Sequence, residues 1–300
     1  PATTDDIQCL SENWDAAVRH TAEECKRLGL RFTMQNCPGW AMSGGPWIKP
    51  ENAMRNLVYS RMDVNGKEIT TVLPKPQPSN EEWRDYRDIT VLAFPTPEGD
   101  TGKPLELKDV KGNGKYAWKD LMTGIKDRIN FSPSTSDEPN WVEVKFTSPT
   151  TVRSIEIPSI QTLNHAMSFE PNIHLKAYAL KADGSKHIIV NADFPQNSWQ
   201  DNHPITFACP EVEDAVGCRL EFCNRYDMNM GLIKLWSAAH KNSWQSEAAW
   251  DLRSFERTAD DVIQSQAAYL NAGQILDISQ HMTADGQLTW NAPSNQAWTI

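Results

Sequence analysis

"WVEVKF", residues 141–146, sets the reading of the fold. Val142, Val144 and Phe146 alternate with Glu143 and Lys145. A pleated strand sends successive side chains to opposite faces, so this alternation predicts a strand with one face buried and one in water. "CRLEFC" (218–223) repeats the pattern, with Cys218, Leu220 and Phe222 alternating with Arg219 and Glu221. "IHLKAYAL" (173–180) and "HIIV" (187–190) are two further β segments joined through Asp183-Gly184. Short period-two strands separated by turn residues predict a β-sandwich over 116–240.

Moving outward, β character continues on both sides. "LVYSRMDVNGKEITTVL" (57–73) places Asn65-Gly66 between two β-rich runs, which predicts a hairpin. "DITVLAF" (88–94) reads as a strand, and the Gly-, Pro- and Lys-rich residues 95–115 read as a loop or linker. In 241–300, "ILDIS" and "QLTW" flank Asp285-Gly286 and predict another hairpin.

The first 60 residues differ. Trp14, Ala17, Val18, Thr21, Cys25 and Leu28 recur at three- and four-residue steps, predicting a helix over 12–28. Ser11 suits its N-cap and Gly29 its left-handed stop. Cys25 falls on the apolar face and reads as a small core residue. "LRFTM" (30–34) follows as a short buried strand. Pro50 and Glu51 suit the first turn of a second helix. The expected fold class is therefore α/β plus β: one early αβ unit, a β-sandwich and further β hairpins. A single αβ unit cannot cover both faces of a parallel sheet, so the start is either a small α+β element or part of a larger α/β domain interrupted by β sequence.

Charge and composition exclude several classes. The 300 residues carry a formal net charge of −10 and no Lys/Arg cluster, which argues against a nucleic-acid partner and fits a neutral ligand such as a sugar. No run approaches the roughly 20 apolar residues needed to span a bilayer. The 12 tryptophans outnumber the 9 phenylalanines, and Trp serves both sandwich cores and sugar-binding surfaces. Cys9, Cys25, Cys37, Cys209, Cys218 and Cys223 form no CxxC pair, leaving their pairing open. The chain opens on Pro1 with no apolar leader and stops inside a strand-like run, so a piece of a larger protein is expected.

Catalytic motifs are sparse: no GxSxG, P-loop, HExxH or EF-hand pattern occurs. The histidines lack ligand-like spacing: His20 reads as solvent-facing, and His165, His174 and His187 lie in or near β segments. Asp5, Asp6 and Glu12 precede or start the first helix, where they cap it or line the same mouth as the loop after "LRFTM". That loop is "NCPGWAMSGGPW" (36–47). Asn36 offers a donor and an acceptor, and Pro38-Gly39 force a turn. Trp40 and Trp47 offer apolar walls, and Ser43, Gly44 and Gly45 let backbone approach a ligand. The same residues read equally as a rigid loop pinned by two buried tryptophans.

"AEECKRLGLRFTMQNCPGWAMSGGPWIKPENAMRNLVYS" (22–60) resembles glycoside hydrolase family 106, the α-L-rhamnosidases. "YRDITVLAFPTP" (86–97) and "ILDISQHMTADGQLTWNAPSNQAWTI" (275–300) are similar to that family more weakly. "WKDLMTGIKDRINFSPSTSDEPNWVEVKFTSPTTVRSIEI" (118–157) resembles a galactose-binding-like sandwich. The resemblance implies a partial (β/α)8 catalytic barrel over 1–60, a β-hairpin and linker region over 61–115, the inserted sandwich over 116–240, and a β-rich return towards the barrel over 241–300. Lys49 stands where the family tends to have a Thr-like cap.

The implied reaction is hydrolysis of terminal α-L-rhamnosides with inversion, by two glutamates and a calcium ion. No residue of this chain is matched to those glutamates or to calcium ligands, and the chain alone is expected to be inactive. The implied substrate-binding residues are Asn36, Cys37, Trp40, Ser43, Gly44, Gly45 and Trp47. The implied partner is a rhamnose-containing oligosaccharide or polysaccharide, and the implied location is periplasmic or extracellular. A non-catalytic carbohydrate-binding module and a purely structural sandwich are the competing readings.

Overall fold

The strand that contains "WVEVKF" is β5 (Asn140–Thr150), and it lies inside a five-stranded antiparallel sheet. The computed structural model describes residues 7–8, 10–34, 48–53, 55, 57–77, 85–158, 172–195, 203–248 and 265–300. The sheet order is β3 (Leu107–Gly112), β5, β10 (Ala215–Asn224), β7 (Ile173–Leu180), β8 (Lys186–Asp193). Register places Leu220 beside Val142 on one side and Ala177 on the other, and Cys218 between Val144 and Ala179. All six side chains are fully buried, as their alternation requires.

The facing layer holds a three-stranded sheet of β12 (Lys234–Trp236), β6 (Ser154–Ile157) and β9 (Ile205–Ala208). A two-stranded pair, β11 (Met228–Gly231) with β4 (Arg128–Phe131), lies beside it. Ile155, Ile157, Ile205, Phe207, Leu235, Phe131 and Met228 join the five-stranded sheet's inner face in one hydrophobic core. Each such side chain contributes about 1.5–3 kcal/mol by leaving water. Trp118, on the short α2 (Trp118–Met122), packs on Phe131 at 4.5 Å between ring centres, and its Nε1 donates to Asn113 Oδ1 at 2.9 Å. Cys209 and Cys218 are free thiols in this core. Burial pushes the Cys218 thiol up to about 12, so both act as small apolar residues.

A second core belongs to the sheet β1 (Asp63–Val72), β14 (Gln287–Thr299), β2 (Leu92–Pro95), β13 (Leu276–Asp277). Trp290 and Trp298 meet edge to face at 5.1 Å, surrounded by Ile69, Ala93, Ile278, Leu288 and Ala292.

The chain forms two compact units, one of residues 1–59 with 76–88 and one of 60–75 with 89–300. All fourteen strands of the described residues lie in the second. In the first, α1 (Glu12–Leu28) has the expected caps. Ser11 Oγ accepts from Trp14 N at 3.3 Å, and Gly29 stops the helix at φ 67° while Leu30 N donates to the Cys25 carbonyl at 2.8 Å. Arg55 ties this unit together by reaching Asp85 at 2.8 Å.

Several expectations are corrected. Leu30–Met34 is not a strand: no other strand pairs with it among the described residues, and Leu30, Phe32 and Met34 are exposed. No residue of α1 is buried, so Cys25 is half-exposed rather than core. Pro50–Asn52 makes a single 3₁₀ turn with Pro at its start. The Asn65-Gly66 hairpin does not form. β1 runs straight through, paired with β14, and Gly66 (φ 113°) sits where the register shifts. A type I′ turn needs positive φ at both central residues, and Asn65 does not have it. Within 95–115, residues 107–112 form β3 against β5. At Asp285-Gly286 the turn forms, with Gly286 at φ 82°, but its arms are joined only close to the turn, by the Met282–Leu288 bridge and by Thr283 with Gln287. β13 pairs with β2 and β14 mainly with β1. The loop Asp183-Gly184 does join β7 to β8, with Gly184 at φ 86°. A (β/α)8 barrel is not shown by the described residues, which are mostly β.

Candidate functional site

Asn36, Cys37, Trp40, Ser43, Gly44, Gly45 and Trp47 all lie outside the described residues, as do Asp5, Asp6 and His165. What is described is the approach to that loop, α1 with its Gly29 stop, and the exit through the Pro50–Asn52 turn. Glu12 and Asp15 are exposed in the first turn of α1, where they favour the positive end of the helix dipole. Glu51 is exposed in its turn, and Lys49 makes no side-chain cap there. None of these carboxylates faces a second one across a described pocket.

The other titratable groups sit in the β unit. Arg153 is buried and binds two carboxylates, Glu211 at 2.9 Å and Glu98 at 3.0 Å, plus the Ser237 carbonyl at 3.1 Å. The Arg153 guanidinium, then the Ser265 hydroxyl, hold the Glu211 carboxyl below its usual range. Arg61 pairs with Asp63 and Asp100, each at 2.8 Å. His240, which the sequence reading passed over, lies 3.3 Å from Ser154 Oγ with its ring against Trp236. Burial lowers its pKa, opposed by Asp100 and Glu156. His174 is held by Asp193 at 2.8 Å and Asn191 at 3.1 Å, and His187 contacts Ser185 at 3.2 Å. Among the described residues no three His, Cys, Asp or Glu side chains cluster to hold a metal ion, so the expected calcium finds no ligand set here.

One end of the sandwich carries an open cleft of about 610 Å³ between the loop 133–140 and the outer face of the five-stranded sheet. The loop is fixed from beneath by buried amides. Asn140 Nδ2 donates to the Ser132 carbonyl and to Asn224 Oδ1, both at 2.9 Å. Asn224 Nδ2 returns to the Ser132 carbonyl at 3.0 Å, and Ser134 Oγ lies 2.6 Å from Asn224 Oδ1. Asn140 and Asn224 are buried and satisfied, so they lock the loop rather than offer groups to a ligand.

The floor of the cleft is Trp141. The strand alternation that buries Val142 turns the indole to the outer face, where the Arg219 guanidinium lies 4.1 Å from its ring centre. Arg219 Nε donates to Glu221 at 2.7 Å, and its Nη1 lies 3.6 Å from Glu143. Burial alone would raise the Glu143 pKa, but Lys111 at 2.8 Å and the Arg219 charge bring it below the usual carboxylate value. Trp141 and Arg219 are thus a flat pair whose orientation is set before any ligand arrives. A second cleft of about 750 Å³ shares Pro133 and Ser134 and is lined by His174, Asp193 and Cys223. Burial, then the Glu221 charge, raises the Cys223 thiol, which makes it a poor nucleophile.

The glycoside hydrolase family 106 model, described as alpha-L-rhamnosidase, matches residues 2–300. A rhamnosidase from Novosphingobium sp. PP1Y overlays all of this chain and 28% of its own, with TM-score 0.63 and 21% identity. A Formosa agariphila protein that carries a beta-glucuronidase name is 46% identical over 93 residues, 31% of this chain and 8% of the relative. A pectin binding carbohydrate binding module overlays 45% of this chain and 94% of its own at TM-score 0.32 and 15% identity, too loose a likeness to carry an argument. The chain therefore spans under a third of the length of these larger relatives.

Proposed function

From its membership of glycoside hydrolase family 106, to which this chain belongs over residues 2–300, we propose that it forms one portion of a glycosidase that hydrolyses terminal α-L-rhamnosides. The match over nearly the whole chain carries this reading. The substrate would be a rhamnose-containing oligosaccharide or polysaccharide, which places the protein outside the cytoplasm, in the periplasm or beyond the cell. No helix among the described residues is long and apolar enough to cross a membrane.

In this reading residues 1–60 contribute one early part of a (β/α)8 barrel. The capped α1 and the exposed apolar side chains after it support that assignment, since Leu28, Leu30, Phe32 and Met34 suit the interior of a larger α/β body. Asn36, Cys37, Trp40, Ser43, Gly44, Gly45 and Trp47 then line the sugar pocket at the active-site end of the barrel. They carry no carboxylate, so they bind and orient the sugar and shield it from water.

Inversion requires one carboxylic acid to protonate the leaving oxygen and a carboxylate on the opposite face to activate water, about 6.5–9.5 Å away. Both come from elsewhere in the enzyme. A bound calcium would accept carboxylate and sugar oxygens. The described residues do not supply its ligands.

The test compares the full-length enzyme with the 300-residue chain on an aryl α-L-rhamnoside and an aryl β-glucuronide. Rhamnose release by the full-length enzyme alone is expected. Release of glucuronate instead, or turnover by the 300-residue chain, would overturn the assignment. Trp40→Ala and Trp47→Ala in the full-length enzyme are expected to raise KM for the rhamnoside about tenfold or more, the cost of losing one aromatic wall.

A further inference from the structure

The cleft at the sandwich end belongs to no part of that chemistry, and we infer that it is a binding site for a neutral polysaccharide chain. Its floor is a preset platform: Trp141 is stacked with Arg219, and Arg219 is pinned by Glu221 and Glu143. Arg219 covers one face of the indole, and a pyranose ring packs its apolar C–H face on the part of the stacked pair that stays exposed, at little cost in side-chain entropy because the pair is already ordered. Its wall, the loop 133–140, is rigid because the Asn140–Asn224–Ser134 network closes beneath it.

The lip is open for hydrogen bonding. The side chains of Lys115, Ser136, Asp137 and Glu138 line the cleft and make no hydrogen bond or ion pair among the described residues. Carboxylates accept from pairs of hydroxyls and an ammonium donates to them, which is the complement of a sugar's hydroxylated edge.

Charge and shape narrow the ligand. Two cations, Lys115 and Arg219, face three carboxylates, Asp137, Glu138 and Glu221, and Arg219 is already neutralised by its partners. That balance repels polyuronates and phosphates and accepts neutral sugars. The cleft is open to solvent rather than enclosed, so a sugar within a chain can reach it as well as one at a chain end. Binding to so solvated a surface is weak, with a dissociation constant on the order of 0.1–1 mM.

The site is independent of the rhamnosidase reading, and its test measures no hydrolysis. The 300-residue chain is run in native gels cast with arabinogalactan, a neutral β-glucan or polygalacturonate. Retardation is expected in at least one neutral gel. Trp141→Ala should weaken it roughly tenfold, the loss of one stacking surface. Asp137→Ala, on the exposed loop, should weaken it without altering the thermal melt, so a folding defect in the Trp141 variant cannot be mistaken for a binding one. Migration unchanged in every neutral gel, retardation only by polygalacturonate, or full retention by both variants would overturn the inference.

Discussion

His240 stands at the residue scale for what burial does to a titratable group. Its folded pKa lies below the ordinary value of about 6.5, because burial disfavours the imidazolium more than Asp100 and Glu156 favour it. The unfolded chain therefore takes up the proton first as pH falls, and the stability present above about 6.5 is lost below it. Glu211 has the opposite chemistry. Its carboxylate is favoured in the fold, so its contribution is intact above about 4.3 and disappears only in stronger acid. The melting temperature is expected to fall between pH 7 and 5.5, and to fall less in His240→Gln. Equal slopes in calorimetry would contradict the assignment. Arg153→Met removes three hydrogen bonds from a buried guanidinium. Glu98 and Glu211 keep much of their exposure and stay solvated. The cost is therefore about 1–3 kcal/mol, below the range for orphaning a buried charge, and urea unfolding measures it.

Strands β5 and β10 show how an element is specified by two constraints at once. The inner face is set by volume. Leu220 is fully buried between Val142 and Ala177, and Leu220→Ala should cost about 2–5 kcal/mol in urea unfolding. The backbone is set by closeness at one point. A Cβ on Gly217 would stand 2.3 Å from the Val144 carbonyl oxygen, beside the register shift between Ala215 and Gly217. Backbone in a central strand cannot retreat as a flexible side chain can. Gly217→Ala is thus expected to destabilise by about 1–3 kcal/mol even though its φ is ordinary, and an unchanged midpoint would refute the contact. The outer face is free of both constraints, and there the same alternation presents Trp141, Arg219 and Glu221 to the cleft.

At the scale of the whole molecule, the two units hold their structure by different means. The β unit has two apolar cores, one within the sandwich and one around Trp290 and Trp298. In the other unit α1 has good caps and an Arg27–Glu24 pair at 2.7 Å but buries nothing. Caps contribute about 1 kcal/mol and an exposed pair less, whereas packing of an apolar face supplies most helix stability. Amide exchange in the 300-residue chain should accordingly be fast through α1 and slow through β5 and β10. Comparable protection in both would show that α1 is packed after all.

The sequence by itself determined what depends on neighbours along the chain. Period-two runs located β5, β7 and β10 and their inner faces, and Ser11 and Gly29 bounded α1 to the residue, because pleat, helix pitch and caps are local geometry. The Trp141 platform was legible only in part, since the alternation turned Trp141, Arg219 and Glu221 to one side of their strands without pairing the strands. Tertiary structure alone decided the pairings. Asn65-Gly66 looked like a local turn, yet β1 gains a longer partner in β14, more than 200 residues away, and runs straight. The cleft arose the same way. Asn113, Trp141 and Arg219 come from three separate strands or loops, and strand register, which no local pattern encodes, is what sets them side by side.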